Sequence, residues 1–148
     1  MVAIRRARRD DVDAIVAMLA DDELGAQREN PGDPRYLDAF DALDADPNQY
    51  LAVAELDGEI IGTLQLSYLA GLSRLGATRA QIEAVRVRAD QRGTGLGTTL
   101  FEWAIDEART HGAVLVQLTT DASRADAHRF YERLGFVASH VGMKLALN

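Results

Sequence analysis

The chain has no cysteine, which excludes disulfides, thiolate metal sites and a cysteine nucleophile, and is compatible with a reducing cytoplasm. It has no run of about 18 apolar residues, so no membrane partner is expected. The first residues, Met1-Val2-Ala3-Ile4 followed by Arg5-Arg6, lack the apolar stretch of a secretory signal, and a cytoplasmic protein is expected. Basic residues are in deficit, with 16 Lys and Arg against 23 Asp and Glu for a net charge of −7. That balance argues against a general nucleic-acid binder. His111, His128 and His140 show no metal-ligand spacing, so no metal is expected. Repeats, low-complexity tracts and linkers are absent, and residues 1–148 are expected to form a single domain.

What is present is ordinary for a globular protein, 47% apolar and 26% charged residues. Acidic residues gather at Asp10, Asp11, Asp13, Asp21, Asp22 and Glu23, and again at Asp38, Asp41, Asp44 and Asp46. They are either solvated helix faces or a rim that attracts a cationic amine.

The punctuation of the chain predicts its elements. Val2 to Ile4 forms a short strand, and Asp10 caps a helix carrying Val12, Ile15, Val16 and Leu19 at helical spacing. Residues 21–33 read as loop. Asp33-Pro34 opens a second helix with Tyr36, Phe40 and Leu43 on one face. Asp57-Gly58 is a favoured two-residue turn between strands at Tyr50–Leu56 and Glu59–Leu69. After a loop, Ile82–Arg88 is a strand, Leu96–Thr110 a helix and Ala113–Leu118 a strand buried on both faces. Ser123 and Asp126 have the spacing of a capping box for a helix bearing Ala127, Phe130, Tyr131 and Leu134. Phe136 to Leu147 is expected as a closing strand. The order gives an α/β fold with helices on both faces of a mixed sheet.

The segment Arg92-Gly93-Thr94-Gly95-Leu96-Gly97 lies between a strand and a helix. The first N–H groups of a helix lack internal partners and its dipole adds positive charge there, so a phosphate or pyrophosphate is a fitting ligand. The glycines allow close backbone approach, and Arg92 supplies a cation. The spacing G-x-G-x-G departs from the dinucleotide fingerprint G-x-G-x-x-G, and the segment has no lysine for a P-loop. A tight strand-to-helix turn with no ligand remains the alternative.

Val85-Arg86-Val87-Arg88-Ala89-Asp90-Gln91-Arg92-Gly93-Thr94-Gly95-Leu96-Gly97 resembles the acyl-CoA-binding motif of the GNAT superfamily of N-acetyltransferases. Arg92, Gly95 and Gly97 fill its three defining places. Ala127-His128-Arg129-Phe130-Tyr131-Glu132-Arg133-Leu134-Gly135-Phe136 is similar to the family's second signature, A-x-x-F-Y-x-x-x-G-F. Both occur in the family's order, so the resemblance covers essentially the whole chain. It implies a three-layer sandwich whose mostly antiparallel sheet has one parallel pair splayed at the acyl-CoA site. It also implies acetyl-CoA as co-substrate, a small-molecule amine acceptor, and direct attack through a tetrahedral intermediate. Family habit admits a homodimer. The alternatives are protein or peptide acetylation, and an acyl-CoA-binding regulatory module without turnover.

By that resemblance, backbone groups of Val85 and Val87 pair with the pantetheine arm, and the Val85 N–H polarises the thioester carbonyl. Arg92, Gly93, Thr94, Gly95, Leu96, Gly97 and Thr98 hold the pyrophosphate. Apolar positions at Ile82 and Ala84 switch parity to Val85 and Val87, marking either a β-bulge or a strand buried on both faces. Arg124 stands where many members carry asparagine; it either reaches a CoA phosphate or lies on the surface. Tyr131 is the candidate acid for the leaving thiolate, because a phenol is protonated at neutral pH; the same ring can pack in the core. Glu83 is the candidate base, acting through water, or else a strand carboxylate paired with an arginine. Tyr68, Asp22 and Glu23 are weaker candidates near the acceptor.

Overall fold

A computed structural model describes residues 1–122 and 124–148. These fall into two compact units, Met1–Val116 and Gln117–Asn148. The capping box read at Ser123 lies outside the described residues.

The first unit is built on strands β1 (Ala3–Arg6), β2 (Gln49–Leu56), β3 (Glu59–Leu69), β4 (Arg79–Val87) and β5 (Leu115–Gln117), in that spatial order. The first four pair antiparallel, and β5 runs parallel to β4. The β2–β3 hairpin turns at Asp57 and Gly58 with φ of 51° and 81°, as a two-residue Asp-Gly turn demands.

Register sorts the side chains by face. On one face, Val53 lies opposite Thr63 and packs with Val12, Ile15, Val16 and Phe40 from α1 (Val12–Ala20) and α3 (Arg35–Ala45). On the other, Ala54 lies opposite Gly62, and Leu96 and Leu100 of α5 (Leu96–Thr110) reach that glycine. A Cβ on Gly62 would stand 3.1 Å from Leu100 and 3.2 Å from Leu96. The bare backbone lets the start of α5 lie close on the sheet.

Several expectations are corrected. Asp11 rather than Asp10 organises the start of α1. It accepts the Arg8 N–H at 2.8 Å and pairs with Arg5 at 2.7 Å. Residues 23–28, expected as loop, form α2 (Glu23–Arg28), capped by the Asp22 carboxylate accepting the Gly25 N–H. Within the loop after β3, α4 (Ser73–Gly76) is a single turn with left-handed φ at Arg74 and Leu75. Strand β5 has three residues of intermediate exposure rather than six buried ones.

The second unit contains α6 (Ala125–Arg133). No strand forms over residues 136–148, so the expected closing strand is absent. Its alternation survives in Val141, Met143, Leu145 and Leu147, all largely exposed. Alternation makes a strand only where a partner ladder accepts it, and β5 ends after three residues.

Candidate active site

The site begins with a defect in β4. Gln65 pairs with Glu83 and Thr63 with Arg86. Leu64 alone therefore stands against both Ala84 and Val85, which is the two-against-one count of a β-bulge. Ala84 takes φ of 53°, a left-handed conformation that costs a residue with a Cβ roughly 1–2 kcal/mol. The parity switch in the sequence is thus a bulge, and not a strand buried on both faces.

The bulge redirects β4. Before it, Gln81 and Glu83 share the face of α1; after it, Arg86 takes that face and Val87, opposite Gly62, faces α5. On its other side, β4 meets β5 near its own start, where the Val114 N–H donates to the Thr78 carbonyl at 2.9 Å. Counted from that bond, a three-residue β5 runs out before Glu83. The backbone from Glu83 to Val87 has no β5 residue beside it.

Beyond β4 a short 3-10 turn, Ala89–Gln91, delivers the glycine-rich segment to the start of α5. Gly93 and Gly95 have φ of 82° and 87° with open space where a Cβ would project. Gly95 occupies the N-cap of α5 and no side chain caps the helix. The first intrahelical bond shown there is from the Thr99 N–H to the Gly95 carbonyl, 3.1 Å. The N–H groups of Leu96, Gly97 and Thr98 thus stand at an uncapped, positive helix end. Arg92 and Thr94 are exposed and Thr98 half-buried. A strand edge that β5 does not cover, continuing into an anion-accepting helix start, fits an extended ligand ending in phosphates.

Glu83 is exposed on β4, where water reaches it freely. Its carboxylate accepts from Gln81 Nε2 at 3.5 Å. Arg86 pairs with Asp22 at 3.0 Å and donates to the Val85 carbonyl at 2.9 Å. Arg92 lies 3.5 Å from the Asp21 carboxylate. Asp22 therefore serves as helix cap and ion-pair partner, while Glu23 is exposed in the first turn of α2.

Tyr68 lies on the opposite sheet face from Glu83. It stacks on His111 with ring centroids 3.6 Å apart and donates its hydroxyl to the Glu107 carbonyl at 3.4 Å. Burial pushes its phenol up to about 12. It belongs to the packing of α5 rather than to the neighbourhood of Glu83.

In the second unit Tyr131 is half-buried on α6. Its ring meets Phe130 and Phe136 edge-on at centroid distances of 5.5 and 6.1 Å, and its carbonyl accepts the Phe136 N–H at 3.0 Å. Arg124, exposed, is the N-cap of the same helix. Among the described residues no group of three or more His, Asp or Glu is arranged to hold a metal ion. No helix among them is long and apolar enough to cross a membrane.

Comparison with known proteins decides the family. A sequence model described as the Acetyltransferase (GNAT) family matches residues 13–136. The chain belongs to the GNAT acetyltransferase family. Aminoalkylphosphonate N-acetyltransferase from Salmonella typhimurium is 33% identical over 147 residues, covering 97% of this chain and 90% of that protein. An L-methionine sulfoximine/L-methionine sulfone acetyltransferase from Pseudomonas paraeruginosa is 30% identical, covering 93% of this chain and 81% of that one. A crystal structure described as a transcriptional regulator from Bacillus halodurans C-125 superimposes with a TM-score of 0.95. It is 45% identical and covers 99% of this chain and 100% of its own. The GNAT fold and acetyltransferase chemistry follow from this membership; the acceptor does not.

The sequence pointed to Arg92–Thr98, Val85 and Val87, and the structure puts these on one continuous path with Glu83 beside it. It missed Asp21, Asp22 as partner of Arg86, and the amides flanking Glu83. Only the β3–β4 register brings those amides together, and no local pattern encodes it.

Proposed function

We propose that this GNAT protein transfers the acetyl group of acetyl-CoA to the primary amine of a small molecule. The observation that carries the reading is the bulged end of β4, paired to β3 but beyond the reach of β5, leading into the uncapped start of α5. Acetyl-CoA supplies an acetyl group activated as a thioester. Backbone groups of Val85 and Val87 bind the pantetheine arm as an added strand, and the Val85 N–H donates to the carbonyl oxygen as charge develops on it. Arg92, Gly93, Thr94, Gly95, Leu96, Gly97 and Thr98 bind the pyrophosphate. Glu83 removes the amine proton through water, and Tyr131 gives its phenolic proton to the departing sulfur. The family match runs from residue 13 to residue 136, spanning parts of both units, and supports one acyltransferase domain.

The names of the Salmonella and Pseudomonas relatives support a small amine as acceptor. The Bacillus structure's description favours a second reading, an acyl-CoA-binding regulatory module. The net charge of −7 opposes contact with nucleic-acid phosphates and weakens that reading. Thiol release from acetyl-CoA, measured over aminoalkylphosphonates, L-methionine sulfoximine and peptide amines, separates them. Release with a small amine supports the enzyme, release with peptides alone makes it a protein acetyltransferase, and CoA binding without release for any amine makes it a module.

A further inference from the structure

Glu83 stands on a part of the sheet that is polar where a sheet interior is usually apolar. Strands β3 and β4 are both flanked in the sheet, and such strands ordinarily bury apolar side chains under the covering helices. On the α1 face, however, β3 presents Gln65 and Ser67, β4 presents Gln81 and Glu83, and β2 begins at Gln49. Register sets Gln65 opposite Glu83, Ser67 opposite Gln81 and Gln49 opposite Ser67. The end of α1 is tied toward the bulge through Asp22 and Arg86, and α3 packs on β2. Gln49, Gln65 and Gln81 remain only half-buried and Glu83 exposed.

The strip is internally ordered. Gln65 Nε2 donates to Gln49 Oε1 at 3.0 Å, and Ser67 Oγ donates to the same oxygen at 2.8 Å. Gln81 Nε2 donates to Glu83 Oε1 at 3.5 Å. With its nitrogen committed to Gln49, the Gln65 amide keeps Oε1 as its free end. Residues directly opposite in an antiparallel pair have Cβ atoms about 4.5–5.5 Å apart. An acceptor oxygen of Gln65 and the carboxylate of Glu83 can therefore meet one small group.

We propose that Gln65 and Glu83 together seat the ammonium of a primary amine acceptor, with Gln81 positioning Glu83, and Gln49 and Ser67 positioning Gln65. An ammonium has three donors and no acceptor, so a carboxylate beside an amide oxygen matches two of its N–H groups and leaves the third for water. An N-methyl amine keeps two N–H groups but puts a methyl in place of the third, so it fills the seat in only one of the three rotations open to a primary ammonium, and the strip favours the primary amine. This assignment rests on the acetyltransferase reading and adds a specificity determinant to it.

The test is calorimetric binding of 2-aminoethylphosphonate and its N-methyl derivative to the CoA-saturated protein, with kcat and KM for acetyl transfer alongside. Gln65→Leu is expected to weaken primary-amine binding and raise KM about tenfold or more, the loss of a hydrogen bond to a charged group. Its kcat should change far less, its CoA affinity should hold, and the preference for the primary amine should shrink. Gln65→Glu, which keeps an acceptor oxygen at that place, should retain binding. Unchanged KM in Gln65→Leu, equal losses in both variants, or no amine binding by the CoA-saturated wild type would overturn the seat. Absence of CoA binding would instead contradict the acetyltransferase reading.

Discussion

Arg92, the cation of the glycine-rich turn, is held by Asp21 at the end of α1, its Nη2 3.5 Å from the carboxylate and 3.4 Å from the Asp21 carbonyl. The group expected to meet the pyrophosphate therefore already has a negative partner. Both side chains are more than half exposed, 57% and 59%, so the pair is worth well under about 1 kcal/mol. On the proposed reading, pyrophosphate, with more charge and the helix start beside it, would displace Asp21.

The first prediction follows from that competition. Asp21→Asn should tighten CoA binding about two- to fourfold at low ionic strength, an advantage that fades as salt screens it. Arg92→Ala should weaken binding about tenfold or more, because a charge-assisted contact is lost. Calorimetric titration of CoA at two salt concentrations checks both.

The bulge makes a second prediction. Ala84 holds φ of 53°, where glycine is unstrained and β-branched residues are outliers. Ala84→Gly should leave stability unchanged or raise it by up to about 1 kcal/mol, relief of strain being offset by a more flexible unfolded chain. Ala84→Val should cost about 1–3 kcal/mol and, by distorting the Val85 backbone, should weaken CoA binding. Denaturant midpoints and calorimetry read the two effects separately.

Tyr131 carries a third. If its hydroxyl protonates the leaving sulfur, Tyr131→Phe should lower kcat by about 100-fold and leave CoA affinity within about twofold. Phenylalanine keeps the ring contacts with Phe130 and Phe136, so the comparison isolates the hydroxyl. Equal kcat in the two proteins removes Tyr131 from acid catalysis.

Acid stability gives a fourth. Burial works to raise the Asp11 carboxyl, but hydrogen bonds from the Arg5 guanidinium and the Arg8 N–H outweigh it and leave the group below its ordinary range. Its lowered folded value means the contribution is complete above about pH 4, the unfolded carboxylate range. It is lost as pH falls through the folded value. Asp11→Asn should cost about 1–3 kcal/mol at pH 7, and the difference from wild type should shrink in acid. A gap that stays constant from pH 7 to pH 3 contradicts this role.

Much of the fold could be read from local chemistry. The Asp57-Gly58 turn, the Asp33-Pro34 helix start and the apolar face of α5 each depend on neighbours in sequence, and each is where the pattern put it. The parity switch around Ala84 also announced the bulge, because pleating ties side-chain parity to register. What failed was non-local. The strand expected over Phe136 to Leu147 had correct alternation but needs a partner that sequence cannot supply. The α2 helix was hidden by glycine and short length, and its cap, Asp22, was read as a possible substrate contact. The strip of Gln49, Gln65, Ser67 and Gln81 was invisible because three strands contribute to it and only their pairing register brings the residues together.

The most direct measurement is mass-spectrometric detection of product after incubating the protein with isotopically labelled acetyl-CoA and 2-aminoethylphosphonate, L-methionine sulfoximine or a peptide amine. The account predicts that label appears on the nitrogen of a small primary amine, with stoichiometric release of CoA, and that Glu83→Gln slows its appearance. Tight CoA binding with no labelled amine, or label on peptides alone, would contradict it.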